Sequence, residues 1–198
     1  MIRLALGSAG FALALATAWP VMAAEKHLIE GAPQSPVRVL IYEDLQCPDC
    51  ADFRRMLDTR LLPRYAATVR FEHRDFPLAK HAWARKAAIA ARFFDETRPG
   101  LGLEYRKYTM GHQAATTAEN FNEELGRFAK DHGVSPDKTV AALSDERLAA
   151  DVQKDFEEGT ARGIAHTPTV LVNGKPFIET FPVEDVAAAI DAELKAVR

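Results

Sequence analysis

Both cysteines of this 198-residue chain lie within one short segment, EDLQCPDCADF at residues 43–53. Cys47 and Cys50 are separated only by Pro48 and Asp49. A cysteine pair with this spacing can bind a metal ion, form a structural disulfide or exchange electrons with other thiols. The sequence around the pair distinguishes these three kinds of chemistry.

The metal and structural interpretations are poorly supported by the rest of the chain. A zinc ion needs four ligands, and the pair supplies two. The six histidines include no two at the H-x₃₋₅-H spacing that would complete such a site. We therefore predict no metal and no cofactor. A disulfide within C-x-x-C would close a very small loop, so it would remove little entropy from the unfolded chain.

The redox interpretation requires a helix that begins at the cysteines. The run VRVLIY at residues 37–42 is typical of a buried strand. Pro48 suits the first position of a helix, and apolar residues follow it at helical spacing up to Pro63. The N–H groups and dipole at a helix N-terminus can lower the pKa of a C-x-x-C thiol to roughly 3.5–7.5.

A second segment, GIAHTPTVLVNGKPF at residues 163–177, also has the residue types of a site. Pro168 stands between Thr167 and a short strand at 169–172. A proline that opens a strand indicates either a tight bend with a cis peptide bond or an ordinary edge strand. Asn173–Gly174 then predicts a hairpin turn.

The remaining sequence predicts one α/β domain with a helical insertion. The segment TVRFEHRDF at 68–76 alternates apolar and polar residues as a second strand does. Helical patterns follow, and we place the insertion at about 79–162. After the hairpin, an amphipathic helix ends the chain. Residues 25–36 are predicted to form an extended lead-in.

The amino terminus predicts export from the cytoplasm. Residues 1–24 comprise Arg3, an apolar run and a pair of alanines, which is the pattern of a cleaved signal peptide. Residues 25–198 would then form the mature domain, outside the cytoplasm, where disulfides persist. A net charge of −3 shows no basic bias toward nucleic acid. We predict no stable membrane insertion after cleavage.

Four features follow one another along the chain: C-P-x-C, R-D-F-P-L at 74–78, a helical insert and T-P-T-V-L-V-N-G-K. In this order they resemble the DsbA-like thioredoxin-fold oxidoreductases of bacterial envelopes. The resemblance extends over about residues 28–195. It implies a thioredoxin fold with an inserted helical subdomain and a cis Thr167–Pro168 bond packed against the cysteines. It also implies thiol–disulfide exchange with protein substrates.

The chain departs from this family pattern ahead of the cysteines. Such proteins commonly carry a buried acidic residue six positions before the first cysteine, where it accepts a proton. Here that position is Ile41, and Glu43 and Asp44 lie nearer the motif. One of those two carboxylates substitutes for the missing acid, or proton transfer is left to water.

Two further departures concern residues beside the sulfurs. Asp49 stands where the DsbA type has histidine, and an anion there disfavours a thiolate. His166 stands where relatives usually have glycine. It is either a surface histidine or an imidazole near the sulfurs whose cation would favour the thiolate.

The sequence thus predicts an extracytoplasmic thiol–disulfide oxidoreductase, acting as an oxidase on cysteine-containing proteins together with a redox partner. Cys47 would attack and Cys50 would resolve the mixed disulfide. Pro48, Asp49, His166, Thr167 and Pro168 would contact substrate or tune the redox poise. The alternatives are a reductase or isomerase of the same fold, or a non-catalytic binding module or chaperone with an inert disulfide.

Overall fold

The computed structural model describes residues 28–197. The predicted signal peptide therefore lies outside the described residues. A five-stranded sheet runs through this part of the chain in the order β1-β3-β2-β4-β5. β2 and β3 are parallel, and the other neighbouring pairs are antiparallel. The strands are β1 Leu28–Gly31, β2 Arg38–Glu43, β3 Arg70–Asp75, β4 Thr169–Val172 and β5 Lys175–Ile178.

Helices connect and cover these strands. They are α1 Pro48–Met56, α2 Leu62–Tyr65, α3 Ala84–Thr97, α4 Leu101–Gly111, α5 Phe121–Asp131, α6 Pro136–Ala142, α7 Glu146–Ala161 and α8 Val183–Ala196. A π-helical turn, Leu57–Leu61, joins α1 to α2, and a 3₁₀ turn, Gln113–Ala115, lies between α4 and α5.

The central strand β2 is buried on both faces, as the nearly continuous apolar run predicts. Val39 and Ile41 pack with residues of α1 and α8, including Phe53. Tyr42 packs on the opposite face against Phe76, close to the end of α7. This buried strand ends immediately before the cysteine loop, so the loop begins from a rigid position.

The helices between β3 and β4 form a second apolar cluster, and the cysteines belong to it. Aromatic side chains of this cluster include Trp83 stacked on Phe121, and Phe94 packed edge-on against Phe128. Cys47, Cys50 and Ala51 are members of the same cluster. The helical region therefore packs directly against the start of α1.

Strand β3 forms where the alternation predicted a second strand, and both of its faces are buried. Phe71 and His73 are buried, and so are Glu72, Arg74 and Asp75. These charged groups are tolerated because they pair with one another and with side chains of neighbouring helices; Arg92 of α3, for example, bonds Asp75. Alternation along one strand cannot show what covers its polar face.

The segment predicted as an extended lead-in contains strand β1. Its residues pair antiparallel with β3, with Leu28 opposite His73. The strand ends at Gly31, where φ is 82° and an added Cβ would lie 2.4 Å from the Val69 carbonyl oxygen. Glycine is needed for this close approach. A four-residue strand gives too short a pattern to detect in sequence.

The first helical segment continues past Pro63 to Tyr65, although proline indicated its end. The wider π turn at 57–61 lies just before the proline, and the N–H of Leu62 reaches back to the Leu57 carbonyl. Proline cannot donate to the preceding turn and its ring crowds that turn's carbonyl. A π turn accommodates this without ending the helix.

Candidate redox site

Cys47 caps the N-terminus of α1. Its φ and ψ of −77° and 124° are extended, and Pro48 follows as the first helical residue. The Cys47 N–H donates to the Asp44 carbonyl at 3.1 Å, and the Ala51 N–H donates to the Cys47 carbonyl at 3.2 Å. Cys47 therefore stands at the N-terminal end of α1, as predicted from the position of Pro48.

The two thiols, both free, have different surroundings. Cys47 is 5% exposed and Cys50 is fully buried. A hydrogen bond from the Cys50 thiol, aided by the backbone N–H groups of Cys50 and Asp49, lowers the pKa of Cys47 to about 6 despite its burial. Burial raises the pKa of Cys50 well above its ordinary value. The outer sulfur is thus the thiolate at neutral pH, and the inner sulfur keeps its proton.

The segment before β4 lies against the outer sulfur. The Thr167–Pro168 peptide bond is cis, as expected from the resemblance. The Cys47 sulfur is 3.3 Å from the Thr167 carbonyl oxygen. The Pro168 carbonyl accepts a hydrogen bond from the Glu179 N–H at 2.8 Å, which ties this bend to the end of β5. Cys47 and Thr167, which are 120 positions apart in sequence, are thus in contact.

Pro48, Asp49 and His166 are exposed. The Asp49 carboxylate lies in the first turn of α1, where the helix N-terminus favours an anion. The His166 imidazole contacts Glu179, with Nδ1 2.9 Å from Oε1. It is Thr167 that contacts the sulfur of Cys47, so the geometry favours the surface interpretation of His166.

The structure shows what replaces the acidic residue six positions before Cys47. Ile41 packs in the apolar core. Glu43 is buried, with its Oε1 2.7 Å from His73 Nδ1 and 2.9 Å from Arg106 Nε. Burial alone would raise the pKa of Glu43, but the charges of His73 and Arg106 outweigh it and hold that pKa at about 2. Glu43 is therefore a fixed anion and a poor proton acceptor.

Asp44 is also bonded to other groups of the protein. Its carboxylate accepts hydrogen bonds from the N–H groups of Gln46 and Leu78 and lies next to Nδ1 of His81, each at 2.7 Å. Its own N–H donates to the Cys50 sulfur at 3.4 Å. Asp44 thus holds the loop together through its hydrogen bonds to Gln46 and Leu78.

Two residues that the sequence analysis missed hold the cysteine loop from the helical side. Gln46 Oε1 accepts the Trp83 N–H at 2.8 Å. Gln113 Nε2 donates to the carbonyls of Leu45 and Cys47 at 2.8 and 3.0 Å. A glutamine in a polar loop has no periodicity or motif that would mark it in sequence. Within residues 28–197, no group of three or more His, Cys, Asp or Glu side chains could hold a metal ion.

Comparison with known proteins identifies the fold and the family. Residues 23–192 match the family model described as Thioredoxin. The structure of BdbD from Bacillus subtilis superposes with a TM-score of 0.77 at 23% identity, over 85% of this chain and 93% of that one. The structure of alpha-DsbA1 from Wolbachia pipientis gives a TM-score of 0.74 at 17% identity, over 87% and 92%.

Curated relatives match over different shares of their length. Disulfide bond formation protein D of Bacillus subtilis is 24% identical over 169 residues, which are 83% of this chain and 76% of that protein. A Na(+)/H(+) antiporter NhaA 3 of Salinispora tropica is 28% identical over 175 residues, 88% of this chain. The chain spans 26% of the length of that antiporter.

The chain belongs to the thioredoxin family, and its fold is the DsbA-like form of it, with helices inserted between β3 and β4. A C-x-x-C pair, Cys47 and Cys50, stands at the start of α1 in this fold. The predictions of an α/β thioredoxin fold and of the DsbA-like resemblance are confirmed.

Proposed function

We propose that this protein is an extracytoplasmic protein thiol–disulfide oxidoreductase that works as an oxidase. The observation that carries the proposal is the contrast between the two sulfurs. Cys47, at the helix N-terminus, is the more exposed sulfur and is acidic. Cys50, three residues later, is fully buried and keeps its proton. A disulfide with only a structural role has no need of this contrast.

The reaction proceeds by two exchanges. A substrate thiolate attacks the Cys47 sulfur of the Cys47–Cys50 disulfide, forming a mixed disulfide and releasing the Cys50 sulfur, which takes up a proton. A second substrate thiolate then attacks the substrate sulfur of that mixed disulfide. The Cys47 thiolate leaves, the substrate gains a disulfide, and two electrons have passed to the enzyme.

The stability of the reduced form supports the proposed direction. With a pKa of about 6, Cys47 would be thiolate by about ten to one at pH 7. Whatever stabilises this thiolate stabilises the reduced protein and makes its disulfide a stronger oxidant. The Cys50 proton released by re-oxidation passes to water, because Glu43 and Asp44 are both committed to other partners.

The substrates are proteins with free cysteine thiols, and a second redox protein would restore the disulfide. The name of the Bacillus subtilis relative, disulfide bond formation protein D, supports this class of substrate. The signal-peptide pattern at residues 1–24 supports a location outside the cytoplasm. Among residues 28–197, none of the helices combines the length and apolarity needed to cross a bilayer.

Equilibration with glutathione buffers of graded ratio tests the activity. We expect Cys47 and Cys50 to be oxidised and reduced reversibly at the glutathione ratios where an exported oxidase equilibrates. The alkylated fraction of each cysteine, measured by mass spectrometry, gives its redox state. A pair that resists reduction throughout would instead identify a non-catalytic module with an inert disulfide.

Trapping in the native envelope tests partners and direction together. Cys50→Ala leaves Cys47 unable to resolve mixed disulfides, so partners should accumulate on Cys47. Cys47→Ala is the matched control and should trap nothing, because Cys50 is buried. Accumulation of partners on Cys50 in that control would contradict the assignment of roles.

A further inference from the structure

The side chain of Gln113 holds two carbonyl groups of the cysteine loop at once. It lies in the 3₁₀ turn after α4 and donates through Nε2 to Leu45 at 2.8 Å and to Cys47 at 3.0 Å. A side-chain NH₂ group has two hydrogens, so each carbonyl can receive one. One side-chain amide of the helical region thus bonds two carbonyl groups of the cysteine loop.

The bond to Cys47 acts on the peptide group that sets the geometry of the sulfur. The Cys47 carbonyl belongs to the Cys47–Pro48 peptide, whose orientation is the ψ angle of Cys47, 124°. Because Pro48 has no N–H, the carbonyl oxygen is the only hydrogen-bonding group of this peptide. Besides Gln113, it accepts the first helical bond from the Ala51 N–H at 3.2 Å.

The same ψ angle determines what the sulfur contacts. The Cys50 thiol and the backbone N–H groups of Cys50 and Asp49 lie close enough to the Cys47 sulfur to lower its pKa. Rotation of the Cys47–Pro48 peptide would turn the helix N-terminus, and with it these donors, relative to the sulfur. The bond to Leu45 holds the residue that enters the loop, so Gln113 restrains both sides of Gln46.

We propose that Gln113 is a positioning residue of the redox site, which holds the Cys47–Pro48 peptide at the angle where the helix donors face the Cys47 sulfur. The proposal rests on the proposed thiol–disulfide exchange at Cys47. Gln113 itself touches no reacting atom and acts through the backbone of the loop.

The test compares two variants with a matched control. Gln113→Met keeps the length of the side chain and removes the donors, and Gln113→Glu replaces them with an anion facing two carbonyls. Gln153→Met is the control, because Gln153 lies on α7 and, within residues 28–197, makes side-chain hydrogen bonds only to Arg85 and Glu157, away from the cysteine loop. For each reduced protein, the ultraviolet absorbance of the thiolate is titrated with pH, and the glutathione equilibrium constant and urea unfolding are measured.

We expect the pKa of Cys47 to increase in the order wild type, Gln113→Met, Gln113→Glu. The first step should weaken its acid dissociation about three- to tenfold, and the oxidising power should fall in the same order. Gln153→Met should match the wild type. A role limited to stability would lower the urea midpoint of the Gln113 variants and leave the titration unchanged, and that result would overturn the proposal.

The failure of this proposal can be told apart from failure of the proposed function. If the wild type does not equilibrate with glutathione, the oxidoreductase assignment fails, whatever the variants do. If the wild type equilibrates and both Gln113 variants titrate as it does, only the role of Gln113 is refuted. If Gln113→Met fails to fold, the titration of Gln113→Glu decides by the same comparison.

Discussion

The acidity of Cys47 makes the stability of the reduced protein depend on pH, and Cys47→Ala isolates that dependence. The pKa of Cys47 is lowered from an ordinary 9.0 to about 6, first by the hydrogen bond from the Cys50 thiol. A folded-state pKa below the unfolded one contributes stability that is present above the unfolded pKa and is lost as the pH falls through the folded pKa. The contribution therefore grows between about pH 6 and pH 9 and is absent below that range.

The magnitude follows from the same values. A pKa lowered by three corresponds to about 4 kcal/mol of unfolding free energy, at about 1.4 kcal/mol for each step of one in pKa. Water at the start of α1 screens part of this, so we expect about 2–4 kcal/mol. Urea unfolding of reduced wild type and reduced Cys47→Ala, from pH 5 to pH 8.5, should show a difference that widens with pH.

Two controls make the test specific. The oxidised wild type has no thiolate, so its stability should lack this component. Cys50→Ala removes the main group that lowers the pKa of Cys47, so that pKa should rise. The pH range over which the stability of the reduced protein changes should then become narrower. A stability difference between wild type and Cys47→Ala that stays constant from pH 5 to pH 8.5 would refute the reasoning.

Three other predictions concern single side chains. Arg106→Met should cost about 3–5 kcal/mol of unfolding free energy, because Arg106 lies buried between Glu43 and Asp75. Arg147→Met breaks only an exposed pair and should cost far less, so equal losses in urea would contradict this prediction. Gly159→Ala should cost about 1–3 kcal/mol, since its Cβ would lie 2.8 Å from the Phe76 ring; an unchanged urea midpoint would argue against that contact. Asp49→His should lower the pKa of Cys47, because it removes an anion beside the thiolate. The reduction potential of the Cys47–Cys50 disulfide should then rise by tens of millivolts, at about 30 mV per 1.4 kcal/mol. No change in either quantity would show that Asp49 does not set the redox potential.

Local patterns were sufficient for the features formed by neighbouring residues. The apolar run before the cysteines predicted a strand buried on both faces, and β2 at Arg38–Glu43 confirms it. Pro48 predicted the start of α1 because its missing N–H is harmless there. Asn173–Gly174 predicted the turn between β4 and β5, where both residues adopt positive φ.

Features that depend on distant partners were missed. The alternation predicted strand β3 but not the burial of its charged residues, which pair with one another and with arginines of α3 and α4. The strand β1 exists because β3 offers it an edge. No residue of either segment identifies its partner, since pairing energy arises only when the chain has folded.

The sequence by itself therefore determined which groups form the site. These are two cysteines at the predicted start of a helix and a proline before a strand. Tertiary structure decided how they react. It placed the Thr167 carbonyl 3.3 Å from the Cys47 sulfur, committed Glu43 to His73 and Arg106, and brought Gln113 to the Cys47 carbonyl. The physical reason is that the pKa of a thiol responds to charges and hydrogen bonds within a few ångströms, and sequence separation says little about which groups folding brings so close.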